Sequence, residues 1–211
     1  MKKICLLMLL SVAIAGAQSK KPAKPAVKKG PLKGQLAKSG NHILEWREKL
    51  KETQIYFLSG KDTVSLKSAP GKLPEIPATG CVVKPFTAKG SPLCLVSWQE
   101  KVVEGDAKSK LENKTITQYR IVDPEQKTVL HENAYTVANI TEIVWLDPNK
   151  TASKTVEKVR RDGFELTVTP EGDLVLANKT QQDKMTFDVA EKKYVAVAAP
   201  AAKQAVPKKK K

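Results

Sequence analysis

The sequence predicts a mainly β protein: an antiparallel β-sandwich or barrel of about ten short strands, one short N-terminal helix and disordered Lys-rich tails. Three observations predict it. Apolar and polar residues alternate with period two in the C-terminal third, where Phe164, Leu166 and Val168 interleave with Glu165, Thr167 and Thr169. Turn signals punctuate the chain at short intervals, among them Asp123-Pro124, Asp147-Pro148, Asp162-Gly163 and Pro170-Glu171-Gly172. No helical pattern lies between the strand candidates, which argues against a parallel βαβ architecture.

Taken in order, residues 1–17 read as a secretory signal. Lys2 and Lys3 precede an apolar run, and Ala15-Gly16-Ala17 fits the small-x-small cleavage rule. The run falls short of the ~20 residues of a spanning helix, so no transmembrane segment is expected after cleavage. Cys5 leaves with the signal. Residues 18–40 are rich in Lys, Pro, Ala and Gly and hold no aromatic residue, the composition of a solvated linker. Residues 41–194 read as one mostly β domain, and residues 195–211 as a second disordered, Lys-rich tail.

Within the domain, residues 41–51 are the helix candidate. Asn41 can cap it, and Ile43, Trp46 and Leu50 recur at helical spacing, with Trp46 packing the helix onto the body. Residues 54–58 and 63–67 are strands joined through Ser59-Gly60-Lys61-Asp62. Residues 68–79 carry three prolines and read as a surface loop. Residues 80–104 read as two strands stapled near their facing ends, with Cys94, Val96 and Trp98 on one face of the second. Residues 105–113 suit an exposed loop, and residues 115–122 a strand. Residues 128–146 form two strands divided at Asn139 or one long bent strand. Asp162-Gly163 predicts a tight hairpin between residues 156–161 and 164–169. Strands at 173–177 and 185–189 follow.

Cys81 and Cys94 are expected to form a disulfide, since an exported chain matures in an oxidising compartment. Closing a loop of ~13 residues would stabilise the domain by about 3 kcal/mol in the chain-entropy model.

The formal charge of +15 is unevenly placed. Residues 41–191 hold 21 basic and 22 acidic residues, a net of −1, so the excess lies in the ends. Lys20, Lys21, Lys24, Lys28 and Lys29 form one cluster, and Lys208, Lys209, Lys210 and Lys211 another. Lysines without Arg or aromatic neighbours give diffuse, salt-sensitive attraction rather than bidentate phosphate grips or base stacking. An anionic envelope polymer or lipid surface is the expected partner, at ~1 kcal/mol per cation near the surface. Export argues against nucleic acid.

Catalytic signals are thin. His42 and His131 lie on different elements, no zinc-hydrolase spacing exists, and no nucleophile elbow or Gly-rich phosphate loop is present, so no metal or cofactor is expected. Glu132, Glu142, Asp147, Glu157 and Glu165 lie on or beside strands and could in principle supply a glycosidase pair. Asn113, Asn139, Asn149 and Asn178 each open an N-x-T tripeptide, read as Asn/Thr-rich turns or, in a eukaryotic source, glycosylation acceptors. No stretch carries the residue motif of a known family. The expected function is that of an exported, non-enzymatic β-domain protein of the cell envelope, periplasmic or secreted. Its basic tails would contact anionic surfaces. The alternative is a small secreted glycan hydrolase using two carboxylates.

Overall fold

Period-two alternation becomes strand almost throughout. The computed structural model describes residues 34–49, 52–70 and 75–197, and among these there is no α-helix. Three antiparallel meanders follow one another along the chain. The first sheet is four-stranded: β1 (Gln35–Ser39), β2 (His42–Lys49), β3 (Glu52–Ser59) and β4 (Asp62–Pro70). The central sheet is five-stranded: β5 (Val82–Ala88), β6 (Ser91–Asp106), β7 (Lys110–Asp123), β8 (Thr128–Trp145) and β9 (Ser153–Gly163). The third sheet is four-stranded: β10 (Glu165–Val168), β11 (Leu174–Ala177), β12 (Gln182–Asp188) and β13 (Lys193–Ala196).

Two apolar cores place the central sheet in the middle. On one face Cys94, Val96 and Trp98 of β6, with Val83 and Val122, pack against Leu44, Ile55, Phe57, Val64 and Leu66 of the first sheet. On the other, Ala88, Leu93 and Ile121 pack against Leu166, Leu174, Phe187 and Tyr194 of the third. Along β6 the odd and even side chains thus serve different cores, because successive residues of a strand point to opposite faces. Trp98 is fully buried, and truncating it to Ala would cost about 3–5 kcal/mol. Gly172 lets the third sheet approach closely: its φ is +85°, and a Cβ there would meet the Ala88 Cα at 2.4 Å. The Tyr194 hydroxyl donates to the Gly172 carbonyl at 2.9 Å, so the same turn anchors β13.

Several expectations are corrected. The helix over residues 41–51 is absent: β2 pairs with β3 from His42↔Ser59 to Lys49↔Glu52. Ile43 and Trp46 do recur at helical spacing, but Gly40-Asn41 forms a hairpin turn, with Gly40 at φ +57°, and commits the chain to pairing. Trp46, expected to dock the helix, is 36% exposed. β1 falls within the stretch read as linker, and its Leu36 and Ala37 pack on the first core. The loop over residues 105–113 shrinks to a turn at residues 107–109, because β6 runs to Asp106 and β7 starts at Lys110. β8 is one strand through Asn139, the second of the two options. Asp162-Gly163 closes no hairpin. β9 pairs with β8 and β10 with β11, so the chain changes sheets there. Gly163 is needed for another reason: at φ +84°, a Cβ would meet the Ala134 carbonyl oxygen on β8 at 2.4 Å.

The Cys81–Cys94 disulfide is also corrected: both are free thiols. The two cysteines do share a face, and both adjoin the first core. Cys94, however, sits opposite Pro85, four residues along β5 from Cys81. That offset corresponds to ~13 Å at the rise of a strand, against an upper limit of ~7 Å between Cα atoms for a disulfide. The misplacement came from the turn. Lys89 and Gly90, at φ +46° and +89°, make a two-residue primed hairpin, so the arms are paired much closer to the bend than a longer Pro/Gly connection would allow. Burial pushes the Cys94 thiol up to about 11.

Candidate functional site: the uncovered half of the central sheet

Strands β6 to β9 are longer than the sheets that flank them. Among the described residues, one end of the central sheet is covered on both faces, and the other end is not. Its two uncovered faces differ in chemistry, and strand parity decides which side chain goes where.

The face continuous with the first core is ionic. Register places Val102, Lys114, Ala138 and Arg160 in one cross-strand row, and Glu104, Glu112, Ile140 and Lys158 in the next. Glu112 is the hub, meeting Lys110 at 2.8 Å, Arg160 at 3.3 Å and Lys114 at 3.6 Å. β7 and β9 are not neighbours, so the Glu112–Arg160 pair reaches across β8 above Ala138 and Ile140. These two are buried, at 0% and 7% exposure, under the stems of the long charged side chains. Lys158–Glu142 and Arg160–Asp162 extend the lattice at 3.0 and 2.8 Å. The Glu112 carboxyl is held below the usual range, first by its hydrogen bond from Lys110, then by the charges of Arg160 and Lys114. At the step where the first sheet stops, buried Glu100 accepts from Trp98 Nε1 at 2.8 Å and from Lys67 Nζ at 2.7 Å. The Arg120 guanidinium lies 5.3 Å from the Trp98 ring centroid and 3.3 Å from Glu132. Most charges of this face are spent on one another.

The opposite face is nearly free of charge. On β7 it presents Leu111, Asn113, Thr115 and Thr117, and on β8 Tyr135, Val137, Asn139, Thr141, Ile143 and Trp145. Charges enter only at its margins, as Lys101 on β6 and Glu157 and Arg161 on β9. Among the described residues, Asn113, Thr115, Thr117, Asn139 and Thr141 make no side-chain hydrogen bond, so a row of donors and acceptors faces outward. Val103, Val159 and Trp145 are 66%, 55% and 46% exposed on this same face. Where the third sheet stops, a cleft of about 710 Å³ opens, lined among others by Tyr135, Val159, Arg161, Glu165, Asn178 and Lys179.

The sequence-derived candidates fall as follows. Lys20, Lys21, Lys24, Lys28, Lys29 and Lys208 to Lys211 lie outside the described residues. Of the five acids, only Glu165 lines the cleft. Glu142 is held low by the hydrogen bond and charge of Lys158, and Asp147 by hydrogen bonds from Thr151 and from backbone amides of its own turn. Glu132 pairs with Arg120, and Glu157 lies on the edge strand. These carboxylates are not gathered in one place, and the shifted ones are held ionised, the opposite of what a general acid needs. His131 is half-buried, its imidazole pulled toward neutrality by burial. Asn113 and Asn139 are not in turns but directly opposite each other mid-sheet, while the Asn178 side chain accepts from the Thr180 and Gln181 amides.

The uncovered uncharged face was missed in the sequence. Its signal is present in Lys110-Leu111-Glu112-Asn113-Lys114-Thr115, where charge alternates with uncharged residues, but a loop assignment over residues 105–113 hid it. Comparison with protein-family models, with curated proteins and with solved structures gave no match.

Proposed function

We propose that the protein is an exported, non-enzymatic binding protein of the cell envelope, in which two parts of the chain divide the work. The uncharged face of the central sheet makes the specific contact, and the lysine clusters near both ends hold the protein against anionic polymer or lipid. The observation that carries this reading is the partition of charge. In the body, acids and bases balance and are paired with one another across the ionic face, so little remains there to attract an anionic surface. Most of the unbalanced cations sit in Lys20 to Lys29 and Lys208 to Lys211, where attraction is additive and screened by salt.

The test compares the mature chain with a version trimmed to residues 34–197 on vesicles containing anionic lipid. At low ionic strength the mature chain binds at least about tenfold more tightly, and the difference collapses at high salt. Equal binding by the two would remove the role of the lysines.

A further inference from the structure

We propose that the uncharged face of the central sheet is where two copies of this chain meet, face to face about a two-fold axis. This rests on the reading of that face as the contact surface and is independent of the lysine clusters. Three observations favour a second copy as the occupant.

The first is area. Four strands at ~4.8 Å spacing and eight to ten residues of each at ~3.4 Å rise give roughly 500–600 Å² per copy. Two copies bury about 1,000 Å² in total, which reaches the lower bound for a specific interface. The second is composition. Sheet-on-sheet packing uses β-branched and aromatic side chains, and this face offers Val137, Val159, Ile143 and Tyr135 among its threonines. Of the eight large apolar side chains exposed among the described residues, Val103, Val159 and Trp145 lie on it. The third is charge. Self-association brings like residues near one another, which is costly for a face of one sign. Here the two middle strands are uncharged, and the margins carry both signs, with Glu157 and Arg161 four residues apart on β9. A two-fold axis that runs the β9 strands of the two copies antiparallel sets Glu157 of each toward Arg161 of the other. Edge-to-edge joining is the competing geometry. It is opposed by the charged side chains that line the free edge strand, Lys154, Lys158, Arg160 and Asp162 among them.

The experiment is sedimentation velocity on the full mature chain over a wide concentration range. The wild type is expected to equilibrate between monomer and dimer. Val159→Glu and Val103→Glu each place a charge in the interface and raise the dimer dissociation constant by about tenfold or more. Val189→Glu, at another exposed valine in the turn between β12 and β13, leaves it unchanged. Because all three sites are exposed, folding is preserved, and an unaltered far-ultraviolet circular dichroism spectrum verifies it. A monomer at every concentration overturns the proposal, and so does a dimer indifferent to Val159→Glu and Val103→Glu. A monomer that still binds anionic vesicles overturns the dimer alone and leaves the envelope reading standing.

Discussion

Glu100 shows how a single residue closes off the core. It is almost fully buried, yet it carries a carboxylate into the boundary between the first sheet and the open half of the central one. It is tolerated there because its oxygens are taken up by the Trp98 indole and the Lys67 ammonium. A buried charge stays only where partners replace water. Glu100→Ala leaves the indole N–H buried without an acceptor and Lys67 without its anion. Urea denaturation is expected to record a loss of about 2–4 kcal/mol. Glu100→Gln keeps an acceptor for Trp98 and should lose less. Equal losses for the two would mean that packing, not the polar contacts, is what Glu100 supplies. The role was invisible in the sequence: parity puts Glu100 on the face of Cys94, Val96 and Trp98, but nothing local names Lys67, from a distant strand, as its partner.

At the scale of elements, the ionic lattice over β6 to β9 stands in for a covering sheet on one side. Its acid dependence follows from Glu112 and Glu142, both held below their ordinary range in the fold. A carboxyl whose folded value is depressed contributes stability that is present above its unfolded value, about 4.3 for Glu, and is lost as pH falls through the folded one. The urea midpoint should therefore drop as pH is lowered below about 4.3. Glu112→Gln should flatten that acid limb while leaving the midpoint near neutral pH reduced. An acid limb unchanged by Glu112→Gln would contradict the assignment of this residue as the hub. What was legible here depended on range. Turns at Gly60-Lys61 and Pro170 to Gly172 are local and legible in the sequence, as are the strands β4 and β11 that follow them. β2 reads as a helix because Ile43, Trp46 and Leu50 recur at helical spacing, whereas in the strand Ile43 and Trp46 point to opposite faces, and only the pairing with β3 overrides the local pattern. Asp162-Gly163 has the residues of a hairpin, but the close approach to Ala134 that fixes Gly163 is a tertiary contact.

At the largest scale, among the described residues, one long sheet is sandwiched at one end and bare at the other. The β class follows from alternation, turn spacing and the lack of helical patterns between strands. The layering did not, because it depends on the fact that odd residues of β6 meet the third sheet while even ones meet the first. The same limit applied to the cysteines. Cys81 and Cys94 do share a face, but register, set by the two-residue turn at Lys89-Gly90, puts them two rows apart. The candidate face was hidden for a related reason: its members come from four strands and share nothing in sequence beyond the parity that brings them together.

The central claim is that this bare, uncharged face is a contact surface. Hydroxyl-radical footprinting of the full chain, read residue by residue by mass spectrometry, tests it most directly. With the protein dilute, Val103, Val159 and Trp145 should be labelled readily and Trp98 hardly at all. On raising the concentration, the first three should become protected while exposed Trp46 stays labelled. Protection that never develops on the face, or labelling of Trp98 as fast as that of Trp145, would contradict the account.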